Sequence, residues 1–309
     1  MKAVRIHEFG GPEVLKYEDI PEPQPGPGEI RIRIIAAGVN PMDWKMRKGL
    51  VGKLPLPMVI GLDVAGVVDS LGQGGVFFQP EEEVFAKLSM GDGGYAEYTV
   101  VDSNQVARKP GSIGFVESAA IPTAGLAAWQ ALFDIAGLEK GQSVLIHGAA
   151  GGVGTFAVQF AKWKGAFVVA TASGTNVEFL KSIGADAVIN YTNQRFEEIV
   201  CNMDVVLDTV GGDTFDRSWG VLKPGGFLVS TVASIPEGAA EEHGVHAQTL
   251  ITRADGKELA RISEVIDEMK VKPVVTNILP LSDAQKAHEM SESRHTRGKI
   301  VLLVGEDPL

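Results

Sequence analysis

The chain contains one cysteine, Cys201, among its 309 residues. One cysteine cannot form an internal disulfide or build a thiolate zinc site by itself, so we interpret Cys201 as a small, partly buried hydrophobic side chain. The sequence also lacks any apolar run near the roughly 20 residues that span a bilayer. Residues 1–7 alternate as in a strand and lack the apolar core of a signal peptide. These absences predict a cytoplasmic protein without a membrane partner.

Positive charge is scarce as well. Lys and Arg total 28 against 39 Asp and Glu, which gives a formal net charge of −11. Such a chain repels nucleic-acid phosphates overall, so we expect no nucleic-acid partner, although one small phosphorylated ligand is still allowed. The length is sufficient for two domains, each with its own core.

The pattern of predicted strands, helices and turns changes along the chain. The first ~110 residues carry strand patterns at 29–34, 64–68 and 95–101 between Pro- and Gly-rich turns, which predicts a barrel-like or sandwich domain. From about residue 117 to 266, strands and helices alternate, as is typical of a doubly wound parallel sheet. The predicted strands of that part are 144–147, 167–171, 187–190, 205–208 and 227–231. We expect the strand at 299–304 to return to the first domain. The predicted domains are therefore 1–117 with 267–309, and 118–266.

Residues 147–154, His-Gly-Ala-Ala-Gly-Gly-Val-Gly, connect an apolar run to a segment with helical periodicity. Glycines alone would suit an ordinary turn. The order strand, glycines and helix, followed by a second βα unit, favours a dinucleotide site in which backbone N–H groups at a helix N-terminus receive the pyrophosphate. The predicted contacts are Gly148, Gly151, Gly152, Val153 and Gly154.

The segment after the second predicted strand indicates which cofactor binds. A site for NAD usually places Asp or Glu about 20 residues past the glycines, but here the first acid after the strand is Glu178, on the next predicted helix. Ser173 and Asn176 offer hydroxyl and amide groups for a 2′-phosphate without a repelling carboxylate. This favours NADPH, although the loop has no Arg or Lys. Tyr191 would supply a further contact or would simply cap a strand end.

The order of motifs resembles the medium-chain dehydrogenase/reductase superfamily over essentially the whole chain. The similarity is greatest to its zinc-independent quinone oxidoreductases and the related enone reductases. The matching segments are Ala-Gly-Val-Asn-Pro-Met-Asp-Trp-Lys at 37–45, Ile-Gly-Leu-Asp-Val-Ala-Gly at 60–66, Gly-Gly-Tyr-Ala-Glu-Tyr at 93–98, the glycine loop, Gly-Ala-Asp at 184–186 and Gly-Lys-Ile-Val-Leu at 298–302. The resemblance implies an α/β protein with a GroES-like partial β-barrel domain and a doubly wound Rossmann domain, in agreement with the residue patterns.

One departure from the family decides the expected chemistry. Zinc-dependent relatives place a cysteine where Asn40 stands, a His-Glu pair at Leu62-Asp63, and a third soft ligand near Thr123. Only Asp63 could serve here, and the cysteine-rich loop for structural zinc is missing, so we expect no metal. Without a Lewis acid, alcohol dehydrogenation is disfavoured, and the acceptor must already be electrophilic. Quinones and α,β-unsaturated ketones or aldehydes meet that condition.

The resemblance also suggests two catalytic residues. Lys45 follows Asn40 in a segment that lines the cleft beside the nicotinamide ribose in relatives, and it would donate to the developing oxyanion, unless it is a solvated surface lysine. Asn40 would donate an amide N–H to the ribose or the substrate, or would simply cap a loop.

The predicted acceptor pocket consists of Asp43, Trp44, Asp63 and Tyr95. Asp43 would orient Lys45 or pair with Arg47, and an ordinary surface ion pair is the plainer interpretation. Trp44 and Tyr95 suit buried packing as well as a pocket.

Further cofactor contacts follow from the family pattern. Thr209 and Val232, after the fourth and fifth predicted strands, would meet the ribose or nicotinamide, and Arg294 would lie near the phosphates. Residues 245–251 would form an edge strand that pairs with a second copy, which predicts a homodimer.

The leading hypothesis is an NADPH-dependent reductase of quinones or of activated C=C bonds. An enoyl-thioester reductase is an alternative, although neither a long acyl channel nor a basic patch for its carrier can be located. The other alternative is an NADPH-binding sensor or structural protein without turnover.

Overall fold

The computed structural model describes residues 1–74 and 77–305. The strands are β1 (Lys2–Ile6), β2 (Lys16–Asp19), β3 (Glu29–Val39), β4 (Met58–Val59), β5 (Asp63–Leu71), β6 (Glu83–Lys87), β7 (Tyr98–Asp102), β8 (Val106–Arg108), β9 (Ser143–Ile146), β10 (Phe167–Ala172), β11 (Ala187–Asn190), β12 (Met203–Asp208), β13 (Leu222–Ser230), β14 (His246–Thr249), β15 (Val275–Pro280) and β16 (Lys299–Leu303). The helices are α1 (Pro41–Arg47), α2 (Phe115–Ala119), α3 (Pro122–Trp129), α4 (Gly152–Lys164), α5 (Val177–Ser182), α6 (Asp213–Ser218), α7 (Ala239–Glu242), α8 (Gly256–Asp267) and α9 (Ala284–Glu292). None of the helices in these ranges combines the length and the hydropathy that a membrane span needs.

The chain divides into two compact units. The first comprises Met1–Thr123, Ala254–Met269 and Pro273–Leu309, and the second comprises Ala124–Arg253 and Lys270–Lys272. The predicted boundaries differ from this division, because α8 groups with the first unit instead of the nucleotide domain. Residues 306–309 of the predicted first domain lie outside the described residues.

The position of α8 has a steric cause. A Cβ added at Gly256 would lie 2.4 Å from the carbonyl oxygen of Val106, so only glycine lets the helix start this close to β8. Further along the helix, the Ser263 hydroxyl donates to the carbonyl of Arg108 at 3.3 Å. This packing against β8 was not visible in the alternation of strands and helices.

The first unit is built around a sheet with the strand order β15-β16-β3-β5-β6-β8, in which β7 also pairs with β3. A second sheet has the order β2-β1-β4. Alternate residues of β3, including Ile30, Ile32 and Ile34, are buried in the core of this unit, as the alternating sequence predicts. As expected, the tail strand β16 joins this sheet, with Ile300 opposite Val39 of β3.

One predicted strand of the first unit starts later than expected. Strand β7 begins at Tyr98 and not at Tyr95. The backbone N–H of Tyr95 donates to the carbonyl of Ile60, and Ala96 forms an isolated bridge with Ala3. These contacts engage the preceding residues before the regular ladder with β3 begins.

The second unit contains a parallel sheet with the order β11-β10-β9-β12-β13-β14. Its core includes Leu145, Val206 and Leu228 from the three central strands. The prediction of a doubly wound sheet is confirmed. The strand order reverses between β9 and β12, and ligands of such sheets bind at the carboxyl ends of the strands beside that switch point.

Candidate functional site

The glycine loop lies at the carboxyl end of β9. Gly148 has φ +68°, a conformation that favours glycine, and an added Cβ there would lie 2.3 Å from the Thr209 hydroxyl. At Gly154 an added Cβ would lie 2.4 Å from the Gly148 carbonyl oxygen, because the new helix packs against the turn. At Gly151 an added Cβ would meet only that carbonyl oxygen, at 3.3 Å, so the loop is open on this side.

Helix α4 begins at the open side of this loop. Its N-cap residue, Gly151, has no side chain to cap the first turn. Gly151, Gly152 and Val153 are partly exposed, whereas Gly154 is buried. The first N–H groups of a 13-residue helix are therefore directed to an open surface, where the helix dipole favours an anion. A pyrophosphate fits this cradle, and a side chain at position 151 would fill it.

His147 fixes the start of the loop. Its ring nitrogens are within hydrogen-bond distance of the Thr171 hydroxyl (3.0 Å) and the Ser218 hydroxyl (3.1 Å), and its carbonyl accepts from the Thr209 hydroxyl at 2.8 Å. The ring packs edge-on against Phe196. Burial lowers the pKa of His147 to about 4, so the ring is neutral at physiological pH. His147 connects β9 to its neighbours and is not exposed to a ligand.

We expect this histidine to make the protein sensitive to acid. Because the pKa is lowered from 6.5 to about 4 in the folded state, the unfolded chain binds a proton first. Stability is therefore lost as pH falls from about 6.5 to about 4, by up to about 3 kcal/mol. Urea denaturation of His147→Asn and the parent protein across this range should show a smaller loss in the variant. His288 is also buried with a pKa lowered to about 3, and it is present in both proteins. An equal loss in both proteins would therefore assign the acid sensitivity to other groups and contradict the role of His147.

Ser173 and Asn176 follow β10, and Tyr191 follows β11, which pairs with β10 in the sheet. The Asn176 amide donates to the Ser173 hydroxyl at 3.1 Å, and the Tyr191 N–H donates to the carbonyl of Ala172 at 3.1 Å. The Tyr191 side chain is exposed. The nearest acid after the strand, Glu178, is on α5 as predicted, where its carboxylate accepts from Lys181 at 2.8 Å. These loops therefore present hydroxyl and amide groups, and the first carboxylate after β10 in the sequence is paired with Lys181.

Thr209 and Val232 follow β12 and β13 at the same edge of the sheet. A buried carboxylate that sequence reasoning missed, Asp208, organises both loops. Its Oδ1 accepts from the N–H groups of Val210 and Gly211, both at 2.9 Å, and its Oδ2 accepts from the Ser230 hydroxyl at 2.7 Å. Its position at the end of an apolar strand could have identified it in the sequence, because a buried carboxylate needs hydrogen-bond donors around it.

Arg294, predicted near the cofactor phosphates, belongs to the first unit. It follows α9, has φ +57° and is exposed. Its role toward a cofactor stays a prediction.

Hydrogen bonds join Asn40, Asp63 and Thr123 in the first unit. These are the positions that correspond to the metal ligands of zinc-dependent relatives. The Asn40 amide donates to Asp63 Oδ2 at 2.9 Å, and Asp63 Oδ1 accepts from the Thr123 N–H (2.9 Å) and hydroxyl (2.5 Å). Lys299, which sequence reasoning missed, donates to Asn40 Oδ1 at 2.5 Å. In residues 1–74 and 77–305, no group of three or more His, Cys, Asp or Glu side chains could hold a metal ion.

Asp43 and Tyr95 form a second buried pair next to this cluster. Asp43 Oδ2 accepts from the Asn40 backbone N–H at 2.7 Å and from the Tyr95 hydroxyl at 3.0 Å. Burial, assisted by the charge of Asp63, raises the pKa of Asp43 to about 7. Burial and these carboxylates also raise the pKa of Tyr95 well above its usual value.

This arrangement corrects part of the predicted acceptor pocket. Asp43, Asp63 and Tyr95 have no exposed surface, so they do not line a pocket, and Tyr95 shows the buried packing that was its alternative. Asp43 also does not form the expected surface ion pair, since its contacts are with Asn40 and Tyr95. Their role is to support Asn40, which keeps 3% exposure.

The other predicted residues of helix α1 have different surroundings. Lys45 is partly exposed, with its ammonium 5.8 Å from the centre of the Trp44 ring. The Trp44 indole N–H is buried without a hydrogen-bond partner in the described part of the chain. Arg47 is fully buried and pairs with Glu292 and His288. Lys45 and Trp44 therefore remain candidates for contact with an acceptor.

Two protein-family models match this chain. Residues 26–111 match a model described as an alcohol dehydrogenase GroES-like domain, and residues 183–302 match a model described as a zinc-binding dehydrogenase.

Individual proteins match over nearly the whole chain. The chloroplastic NADPH-dependent alkenal/one oxidoreductase of Arabidopsis thaliana is 34% identical, with 98% of this chain and 79% of that protein aligned. The structure of the quinone oxidoreductase from Coxiella burnetii is 37% identical with a TM-score of 0.90, covering 98% of this chain and 99% of that one. The structure of the Escherichia coli quinone oxidoreductase complexed with NADPH is 29% identical with a TM-score of 0.89, covering 98% and 100%.

Proposed function

Because this chain belongs to the medium-chain dehydrogenase/reductase superfamily, in the branch of quinone oxidoreductases and enone reductases, we propose that it is a zinc-independent, NADPH-dependent oxidoreductase. Its acceptors are quinones or the activated C=C bonds of α,β-unsaturated carbonyls. The observation that carries the proposal is the open glycine cradle at the uncapped start of α4, with Ser173, Asn176 and Tyr191 at the ends of the neighbouring strands.

The second unit would hold the cofactor. Backbone N–H groups of Gly152 and Val153 would bind the pyrophosphate next to Gly151, whose own N–H already donates to the Gly148 carbonyl at 3.0 Å. Ser173 with Asn176 would bind the 2′-phosphate. Gly148 and Gly154 allow the tight turn and the close packing of α4 that form this cradle. NADPH, when bound, supplies a hydride.

The first unit would supply the polar groups for the acceptor. When a hydride adds to the β-carbon of an enone, the π electrons move to the carbonyl oxygen, and a proton at the α-carbon completes the reduction. In a quinone the same two electrons and two protons give the hydroquinone. Asn40 and Lys45 are the proposed donors to the oxygen on which negative charge develops.

The test is NADPH oxidation with 1,4-benzoquinone, 9,10-phenanthrenequinone and a simple enone, each with and without a chelator. We expect loss of the NADPH absorbance with at least one acceptor, and no effect of the chelator. Loss of activity with the chelator would overturn the zinc-independent assignment. NADPH binding without turnover of any acceptor would overturn the reductase assignment and favour a sensor or structural protein.

The preference for NADPH can be tested separately with Ser173→Asp. A carboxylate at this position would repel the 2′-phosphate and accept from the ribose hydroxyls of NADH. We expect the ratio of kcat/KM for NADPH to that for NADH to fall about 100-fold, the equivalent of about 2.7 kcal/mol. Ser182→Asp, at an exposed serine of α5, adds the same charge and should leave the ratio near its original value. An unchanged ratio in Ser173→Asp would contradict the placement of the 2′-phosphate.

A homodimer and a cytoplasmic location belong to the same proposal. Strand β14 lies at one edge of the second unit's sheet, where its free side could pair with a second copy. Sedimentation analysis tests the dimer. Cell fractionation tests the location. The alternative result is an organelle, because a relative reported above is named as chloroplastic.

A further inference from the structure

Lys299 places a buried ammonium group at the end of β3. Its side chain is only 4% exposed. The ammonium donates to the Val39 carbonyl at 3.0 Å and to Asn40 Oδ1 at 2.5 Å, and it lies 3.5 Å from Asp63 Oδ2. A buried charge is costly unless oxygen atoms surround it, and here three protein oxygens do so.

The carboxamide of Asn40 is held from both sides. Its Oδ1 accepts from Lys299, and its Nδ2 donates to Asp63, which Thr123 holds in turn. A half-turn of the carboxamide would set Nδ2 against the ammonium and Oδ1 against the carboxylate. Donor would then face donor at Lys299, and acceptor would face acceptor at Asp63. Lys299 and Asp63 together therefore determine one orientation of the carboxamide.

This orientation has a chemical consequence. One of the two N–H bonds on Nδ2 remains without a partner among the described residues. Because the ammonium draws electron density toward Oδ1, it strengthens that remaining N–H as a donor. Asn40 and Lys299 keep 3% and 4% exposure, whereas Asp63 and Asp43 have none. The Lys299 ammonium is directed at three protein oxygens, so the donor left for a bound molecule is the Asn40 amide.

We propose that Lys299 is a positioning residue of the hydride-transfer site: its ammonium orients and polarises the Asn40 carboxamide, which donates to the oxygen of the acceptor. The inference rests on the proposed reductase function. The competing explanation is that Lys299 only joins β16 to β3. The two explanations differ in whether the effect of Lys299 passes through Asn40.

A double-mutant cycle on kcat separates them. Lys299→Met removes the charge and keeps a side chain of similar length, and we expect it to lower kcat about 30-fold. The KM for NADPH should change less than about threefold, because the cofactor cradle is untouched. Asn40→Ala should lower kcat by a similar factor. In the Asn40→Ala background, Lys299→Met should have no further effect on kcat, since residues that act as a unit are not additive.

Lys109→Met is the matched control for loss of a buried lysine. The side chain of Lys109, in the first unit, is 6% exposed, and its ammonium donates to the carbonyls of Pro110 and Ile113 and pairs with Glu83. We expect this variant to lose stability but to keep the parent kcat. A kcat loss equal to that of Lys299→Met would assign the effect to general destabilisation and overturn the inference.

The double variant Asp63→Asn with Lys299→Met tests whether the low kcat of Lys299→Met results only from misfolding. This pair removes both buried charges, so thermal stability should recover relative to Lys299→Met, while kcat stays low. Recovery of kcat together with stability, or equal effects of Lys299→Met with and without Asn40, would overturn the positioning role. Absence of turnover in the parent protein would instead overturn the reductase function itself, and this result is distinguishable from the others.

Discussion

Replacing Gly151 by valine should weaken NADPH binding by about 100-fold, because a side chain would occupy the space in front of the first N–H groups of α4. Loss of one or two hydrogen bonds to a charged group accounts for this factor, at about 1.5–3 kcal/mol each. The backbone at Gly151 has φ −80° and ψ −179°, which any residue adopts, and an added Cβ meets only the Gly148 carbonyl oxygen, at 3.3 Å. The second unit should therefore remain folded. Fluorescence titration with NADPH measures the change.

Two other glycines provide the controls for this variant. At Gly154 an added Cβ would lie 2.4 Å from the Gly148 carbonyl oxygen, so Gly154→Val should destabilise the second unit itself. At Gly220 an added Cβ meets nothing within 4 Å, so Gly220→Val should leave both stability and binding nearly unchanged. A folded Gly151→Val protein that binds NADPH as tightly as the parent would contradict the proposed cradle.

Asp208→Ala should lower the stability of the second unit by about 4 kcal/mol, because it leaves two N–H groups and a hydroxyl without their buried carboxylate. These are the N–H groups of Val210 and Gly211 and the hydroxyl of Ser230. NADPH affinity should also fall, by about tenfold, since the two loops carry the predicted contacts Thr209 and Val232.

Asp208→Asn is the matched variant for this prediction. Its amide oxygen can still accept from the two N–H groups, but its amide nitrogen faces the Ser230 hydroxyl, whose oxygen already accepts from the N–H groups of Val232 and Ala233. The expected loss is therefore intermediate, at about 2 kcal/mol. Urea denaturation followed by circular dichroism compares the three proteins. Equal losses for Ala and Asn would show that the carboxylate geometry does not hold the loops.

Local patterns in the sequence were sufficient to predict most strands and the sheet type of the second unit. The apolar runs before the glycines and at 167–171, 187–190 and 205–208 are strands, of which β11 at 187–190 is a half-buried edge strand and the others are mostly buried. The doubly wound order follows from their alternation with helices. The positions of Ser173, Asn176 and Tyr191 after the ends of β10 and β11 were also predictable, and their contacts with a cofactor stay a prediction.

Contacts between distant parts of the chain were not predictable in the same way. Lys299 and Asn40 are 259 residues apart in sequence, and only the antiparallel pairing of β16 with β3 brings them together. The lysine at the start of an apolar strand gave a weak signal, since such a residue is usually solvated. Asp43 was predicted on a pocket surface and Tyr95 either there or in buried packing, and the packing around the cluster buries both of them.

Direct transfer of a labelled hydride tests the central claim most sharply. The parent protein is incubated with an enone and NADPH that carries deuterium at the reactive C4 position, and the product is analysed by mass spectrometry and NMR. The proposed function predicts one deuterium at the former β-carbon and a proton from solvent at the α-carbon. The two faces of C4 are labelled in separate experiments, since only one face transfers its hydride. If neither labelled NADPH places deuterium at the β-carbon of the reduced product, hydride transfer by this protein is contradicted.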